Sequence, residues 1–208
     1  VPVIIRRVDS GTAKILANLG CKVAISYTSN EESANKVLEQ LNGSGHIAVP
    51  LNVCDKNSVN SAFEKVFQHF SGLEGLVNNA GISLKRLFAE TSEEEWQQVM
   101  DINLKGAFLC CRRALPAMIR NRFGRIVNIA SIWGLRGASC ESVYAASKGG
   151  LIALSRSLAM EMGPSGITVN VIAPGPVETD MLLQELDNDE RAMLSEEIPL
   201  GRLASPDD

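Results

Sequence analysis

Gly75-Leu76-Val77-Asn78-Asn79-Ala80-Gly81 decides the fold: a short apolar run passes at once into small, polar, turn-forming residues. Gly75–Val77 has the composition of a strand buried on both faces, and Asn78-Asn79-Ala80-Gly81 is its exit. Five further runs share that character: Val3–Ile5, Val23–Ser26, Ile47–Val49, Arg125–Ile129 and Thr168–Ile172. Longer amphipathic patterns separate them, over Ala13–Leu19, Asn30–Leu41, Asn57–Phe70, Ser92–Arg120 and Ser142–Met162, with a last helical stretch over Thr179–Glu197. Val59, Phe63, Val66, Phe67 and Phe70 recur at helical spacing. Ser92 with Glu95 predicts a capping box at the start of the long helix. Strands alternating with helices predict an α/β protein, a parallel sheet covered by helices on both faces. No repeat, linker or composition break interrupts that order, so residues 1–208 read as a single domain.

Composition narrows the function classes. The 208 residues are 45% hydrophobic and 21% charged, an ordinary globular mix that excludes a disordered or collagen-like chain. No apolar stretch reaches the roughly 18 residues of a membrane-spanning helix. A net charge of −4 offers no footprint for nucleic acid or an anionic membrane. The five cysteines are odd in number and lack zinc-site spacing, and the two histidines lie in unrelated segments. Reduced thiols and no metal site are the expectation. With no targeting segment visible, so is the cytoplasm or an organelle matrix.

In a sheet of this kind ligands bind beyond the carboxyl ends of the strands. Three exits carry small polar or turn-forming residues: Asn78-Asn79-Ala80-Gly81, Ala130-Ser131, and Ala173-Pro174-Gly175-Pro176. Tyr144-Ala145-Ala146-Ser147-Lys148 is sharper, because a tyrosine and a lysine four apart share one helix face. A phenol titrates at about 10, and a nearby ammonium lowers that value. The pair can therefore give a proton to a carbonyl oxygen or take one from an alcohol. A tyrosine and lysine at this spacing also occur on ordinary helix faces. Ser131, thirteen residues before Tyr144 at a strand exit, favours the chemical reading.

Asn78-Asn79-Ala80-Gly81, Asn103 within Asp101-Ile102-Asn103-Leu104-Lys105-Gly106, Ser131, Tyr144-x-x-x-Lys148 and Pro174-Gly175 stand in the order of the short-chain dehydrogenase/reductase family. From Val23 to Leu203 the chain resembles that family's 3-oxoacyl-[acyl-carrier-protein] reductase group almost throughout. The resemblance implies a Rossmann-type, doubly wound parallel sheet in three α/β/α layers. It implies an NAD(P)H-dependent ketoreductase acting on 3-oxoacyl thioesters linked to acyl carrier protein. Two alternatives stand beside it: another small ketone or secondary alcohol as substrate, or a catalytically silent oligomer partner.

By the same resemblance Tyr144 is the general acid and Lys148 binds the nicotinamide ribose. Ser131 polarises the substrate carbonyl, and Asn103 sits at a helix irregularity and holds a relay water. Asn79, Ala80 and Gly81 lie against the adenosine ribose, Asn52 and Val53 at the adenine, and Gly11 in the phosphate loop. Pro174, Gly175 and Val177 close over the nicotinamide, with Thr179 nearby. The second strand's exit, Ser26-Tyr27-Thr28-Ser29-Asn30, has no acid before Glu31, which favours NADP(H) over NAD(H). Arg120, Arg122 and Arg125 are either a basic patch near the site entrance that meets an acidic carrier, or a solvated helix end.

Two departures accompany the resemblance. Where the family has T-G-x-x-x-G-x-G, this chain has Arg6-Arg7-Val8-Asp9-Ser10-Gly11-Thr12-Ala13, about one helical turn shorter. Weakened cofactor binding is expected, unless Arg6 or Arg7 pairs with a phosphate. The family's last helix and final strand are not seen, so the sixth strand is expected at an exposed edge. A homodimer through the 92–120 and 142–162 helices is expected rather than a tetramer.

Overall fold

A computed structural model describes residues 2–5, 10–179, 182–183, 186–206 and 208. Arg6, Arg7, Val8 and Asp9, the segment of the altered phosphate loop, lie outside the described residues. The six predicted strands form one sheet: β1 (Pro2–Ile5), β2 (Lys22–Tyr27), β3 (Ile47–Pro50), β4 (Gly75–Asn78), β5 (Gly124–Ile129) and β6 (Ile167–Ile172). Their order is β3-β2-β1-β4-β5-β6 and every pairing is parallel. The strand order reverses between β1 and β4, which opens a crevice at the carboxyl ends there.

Alternate residues of each strand feed opposite faces. Ala24, Leu76 and Ile126 point into a core shared with α3 (Lys56–Phe70) and α5 (Gly106–Asn121), with part of α7 (Ser142–Met162) packed on it. Val23, Ile25 and Val77 point into a second core with α1 (Ser10–Asn18) and α2 (Glu31–Leu38). These two cores make the three layers. Phe63, Leu76 and Ile126 are wholly buried, each contributing about 1.5–3 kcal/mol relative to an exposed side chain. β6 is the last strand of the sheet, and Thr168, Asn170 and Ile172 are exposed along one of its faces.

The helices differ from expectation at two places. Ser92–Arg120 is not one helix. The Ser92–Glu95 capping box opens α4 (Glu93–Met100), and a π-helical turn over Asp101–Lys105 follows before α5. The chain needs that turn to bury Asn103 while keeping Cys110, Cys111, Ala114 and Met118 of α5 in the core. Nor is Thr179–Glu197 one helix. Among the described residues it breaks at Leu186 and Asp187, where Asp187 accepts from the Glu190 backbone N–H and caps α8 (Asn188–Glu196). A short helix, α6 (Trp133–Arg136), follows the β5 exit.

Candidate active site

The exits of β4, β5 and β6 meet the first turns of α7. At the β4 exit, Ile82 is held as a neighbouring strand would hold it: its N–H donates to Asn103 Oδ1 (2.9 Å) and its carbonyl accepts from Asn103 Nδ2 (2.9 Å). Asn103 Nδ2 also donates to Ser147 Oγ (3.0 Å), and Ser147 Oγ donates to the Tyr144 carbonyl (2.7 Å). The π turn thus aims one buried amide at both the β4 exit and α7. A π bulge commonly marks a functional position for this reason, since it turns a side chain out of helical register.

Lys148, only 4% exposed, donates from Nζ to the Ile129 carbonyl (2.8 Å) at the end of β5. The same ammonium stands 5.7 Å from the centroid of the Tyr144 ring, so the two residues do share a face. Two residues past Ile129, Ser131 is buried and its Oγ accepts from the Trp133 N–H (3.2 Å). Ile132 N–H donates to the Pro174 carbonyl (2.9 Å), which ties the β5 exit to the β6 exit. Beyond Gly175, Val177 pairs with Ala204 in an isolated bridge, and Thr179 N–H donates to the Val177 carbonyl (2.8 Å).

Two glycines mark close approaches. A Cβ on Gly81 would come within 3.2 Å of Lys148 Nζ and 3.3 Å of Asn103 Oδ1, so Gly81 leaves room for backbone beside the lysine. A Cβ on Gly134 would stand 2.8 Å from both Gly149 N and the Lys148 carbonyl carbon, so α6 lies backbone to backbone on α7. Gly81, Asn103, Ser131, Tyr144 and Lys148 therefore converge. Gly11, in the first turn of α1, stands after β1, and Asn52 and Val53 follow β3. Asn52 Oδ1 accepts from Cys54 N–H (3.0 Å), while Val53 is buried in the α3/α5 core.

Sequence reasoning missed Ser147, the Ile129 carbonyl and the Gly134–Gly149 contact. Ser147 lies inside the Tyr-x-x-x-Lys stretch and was open to a reading as a small helical donor; the other two depend on tertiary approach. The arginine patch needs correction. Arg122 donates to the Pro164 carbonyl, and Arg125 to those of Gly124 and Gly166. Arg125 is the second residue of β5, so the patch lies at the opposite end of that strand from Ser131 and does not border the crevice of its own chain.

A nicotinamide dinucleotide fits the described part of this site. The buried Lys148 ammonium, with the Gly81 backbone close against it, is a donor that suits a ribose bearing hydroxyls. Among the described residues no group of three His, Cys, Asp or Glu side chains could hold a metal ion, and no helix is long and apolar enough to cross a membrane.

A family model described as enoyl-(acyl carrier protein) reductase matches residues 9–208. The 3-oxoacyl-[acyl-carrier-protein] reductase FabG of Aquifex aeolicus (strain VF5) is 39% identical over 98% of this chain and 82% of its own. The protein of that name from Staphylococcus aureus (strain Mu50 / ATCC 700699) is 38% identical over 98% of this chain and 83% of its own. That from Escherichia coli (strain K12) is 39% identical over 95% of this chain and 80% of its own.

Proposed function

The chain belongs to the short-chain dehydrogenase/reductase family, and from that premise we propose that it is an NAD(P)H-dependent ketoreductase that reduces 3-oxoacyl thioesters on acyl carrier protein to 3-hydroxyacyl thioesters. The observation that carries the reading is the Lys148 ammonium, fixed on the Ile129 carbonyl and set against the Tyr144 ring two residues' reach from Ser131.

The bound nicotinamide supplies the hydride. Tyr144 gives its hydroxyl proton to the substrate oxygen as that oxygen gains negative charge. Ser131 donates a hydrogen bond to the same oxygen, where preorganised donors stabilise developing charge. Lys148 holds the ribose hydroxyls, and its charge favours the phenolate that Tyr144 leaves behind. Asn103 keeps Ile82 and Ser147 in place and holds the relay water. Asn79, Ala80 and Gly81 line the adenosine ribose, Asn52 and Val53 the adenine, and Gly11 the pyrophosphate. Pro174, Gly175, Val177 and Thr179 enclose the nicotinamide end.

NADP(H) is the preferred cofactor. The β2 exit has no acid at Thr28, Ser29 or Asn30. Residues 1–208 act as one cofactor-binding and catalytic domain, in the cytoplasm, as a homodimer through the 92–120 and 142–162 helices. Exposed Phe108 on α5 and Met160 on α7 supply apolar surface for that contact.

The test is titration with NADPH and NADH followed by fluorescence, then NADPH oxidation with an acetoacetyl thioester against a panel of small ketones. Tight NADPH binding and preference for the thioester are expected. Tyr144→Phe should lower kcat by about 10²–10⁴ with cofactor affinity retained. Failure to bind either nucleotide, or a fully active Tyr144→Phe, overturns the reading.

A further inference from the structure

A buried polar seam runs beneath the site and has no part in the chemistry just described. On the α3/α5/α7 face of the sheet, Leu76 on β4 lies beside Ile126 on β5, and one rung further along Asn78 lies beside Asn128. Asn78 Nδ2 donates to Asn128 Oδ1 (2.7 Å) and to Cys111 Sγ on α5 (3.3 Å). Asn128 Nδ2 donates to Ser155 Oγ on α7 (2.7 Å), and Ser155 Oγ donates to the Leu151 carbonyl (2.6 Å). Asn78, Asn128 and Ser155 are at most 2% exposed.

Ser155 lies two helical turns beyond Lys148 and about three beyond Tyr144, so all three residues share one face of α7. Hydrogen bonds join α7 to β5 at two adjacent strand residues: Asn128 through its side chain and Ile129 through its carbonyl. They are not equivalent. The lysine arm has four methylenes and can follow a sliding helix. The Asn128–Ser155 bond is short and directional, with no slack. Apolar packing alone is non-directional and leaves the height of a helix on a sheet weakly fixed.

We propose that Asn128 and Ser155 are positioning residues, which fix the height of α7 on β5 and so set where the Lys148 ammonium stands relative to the Tyr144 ring and Ser131. Asn78 fixes Asn128 in turn, and Cys111 receives the far end of the seam. The inference rests on the roles given above to Tyr144 and Lys148.

The chain has two tyrosines, Tyr27 and Tyr144. In a Tyr27→Phe background, phenolate absorbance therefore reports Tyr144 alone, with neither cofactor nor substrate present. Lys148 is the cation against that ring, and Glu141 begins the same helix. Asn128→Leu and Ser155→Ala, each in that background, are expected to raise the Tyr144 midpoint by about one pH unit. Each is also expected to weaken NADPH binding severalfold. A purely structural seam would lower Tm and leave the Tyr144 midpoint where it was; that result overturns the inference. Asn128→Leu also removes one of Asn78's hydrogen-bond partners and is the harsher change. If it does not fold, Ser155→Ala decides, because it removes one hydroxyl from a helix that tolerates alanine. The titration needs no turnover, so a failed reductase assay and an unmoved tyrosine are separate results.

Discussion

Gly134→Ala puts the packing of α6 on α7 to a quantitative test. The added methyl would stand 2.8 Å from Gly149 N and the Lys148 carbonyl carbon and 3.0 Å from Lys148 Cβ. Carbon prefers neighbours at about 3.5–4.0 Å, so one element must retreat by roughly half an ångström or more. The atoms met are backbone and a Cβ fixed to it, so no rotamer change relieves them. If α6 retreats it draws Ser131 with it, because Gly134 N–H is bonded to the Ser131 carbonyl (3.0 Å) and Ile132 N–H to that of Pro174 (2.9 Å). If α7 retreats it draws Tyr144 and Lys148. Either way the gap between Ser131 and Tyr144 widens. A misplacement of about 1 Å costs on the order of 10²-fold in rate, so half of that predicts roughly a tenfold loss in kcat. Overpacking of this kind costs about 1–3 kcal/mol, and each kcal/mol lowers Tm by roughly 2–4 °C in a chain of this size. Steady-state NADPH oxidation and thermal unfolding read the two effects. Gly163→Ala is the control, since its Cβ meets nothing within 4 Å and its φ is negative. A Gly134→Ala protein with parental kcat and Tm would refute the reasoning.

Two other perturbations probe features away from that contact. Burial, and then the hydrogen bond with Glu31, push the Tyr27 phenol above its ordinary value. Because the folded state holds that proton longer than the unfolded chain, the associated stability is full below about pH 10 and is lost as pH rises through the raised value. In a Tyr144→Phe protein the phenolate absorbance reports Tyr27 alone, and a midpoint at or below that of free tyrosine counts against the Glu31 contact. Asn103→Leu leaves both the N–H and the carbonyl of Ile82 without their amide partner. About 1–3 kcal/mol is expected for each such group, seen as a lower denaturant midpoint and faster exchange of the Ile82 amide; an unchanged amide would show that the β4 exit holds itself.

The strands were legible because a parallel sheet covered by helices demands short apolar, β-branched runs, which stand out against polar flanks; β6, with one face in water, alternates instead, Thr168 and Asn170 between Ile167, Val169 and Val171. The helix interruptions were harder. Ser92–Arg120 carries apolar residues so densely on both sides of the π turn that the shift in helical phase there does not stand out in the sequence. Asp187 and Glu190, by contrast, form the same kind of capping box as Ser92 and Glu95, with an N-cap oxygen three residues before a glutamate, and that spacing starts α8 there. Of the two readings of the arginines, the patch at the site entrance fails on strand direction: Arg125 stands at the start of β5 and Ser131 beyond its end, so the two cannot border one end of the strand. The Tyr144–Lys148 face follows from helical periodicity alone. What joins that face to the sheet, Gly134 against Gly149 and Asn128 against Ser155, depends on pairs far apart in sequence with no local signal.

The π turn at Asp101–Lys105 also keeps phase for everything that follows it. An α-helix advances about 100° per residue. Removal of a single residue there would let α4 and α5 run on as one regular helix, with every later side chain rotated by that angle. Cys110, Cys111, Ala114 and Met118 would swing out of the core, and residues now in water would swing in. A one-residue deletion at this point thus acts as a change of every residue on α5 at once, while a deletion paired with an insertion nearby restores the rotation. The tolerance of this segment to length changes is therefore set by angle rather than by the residue lost.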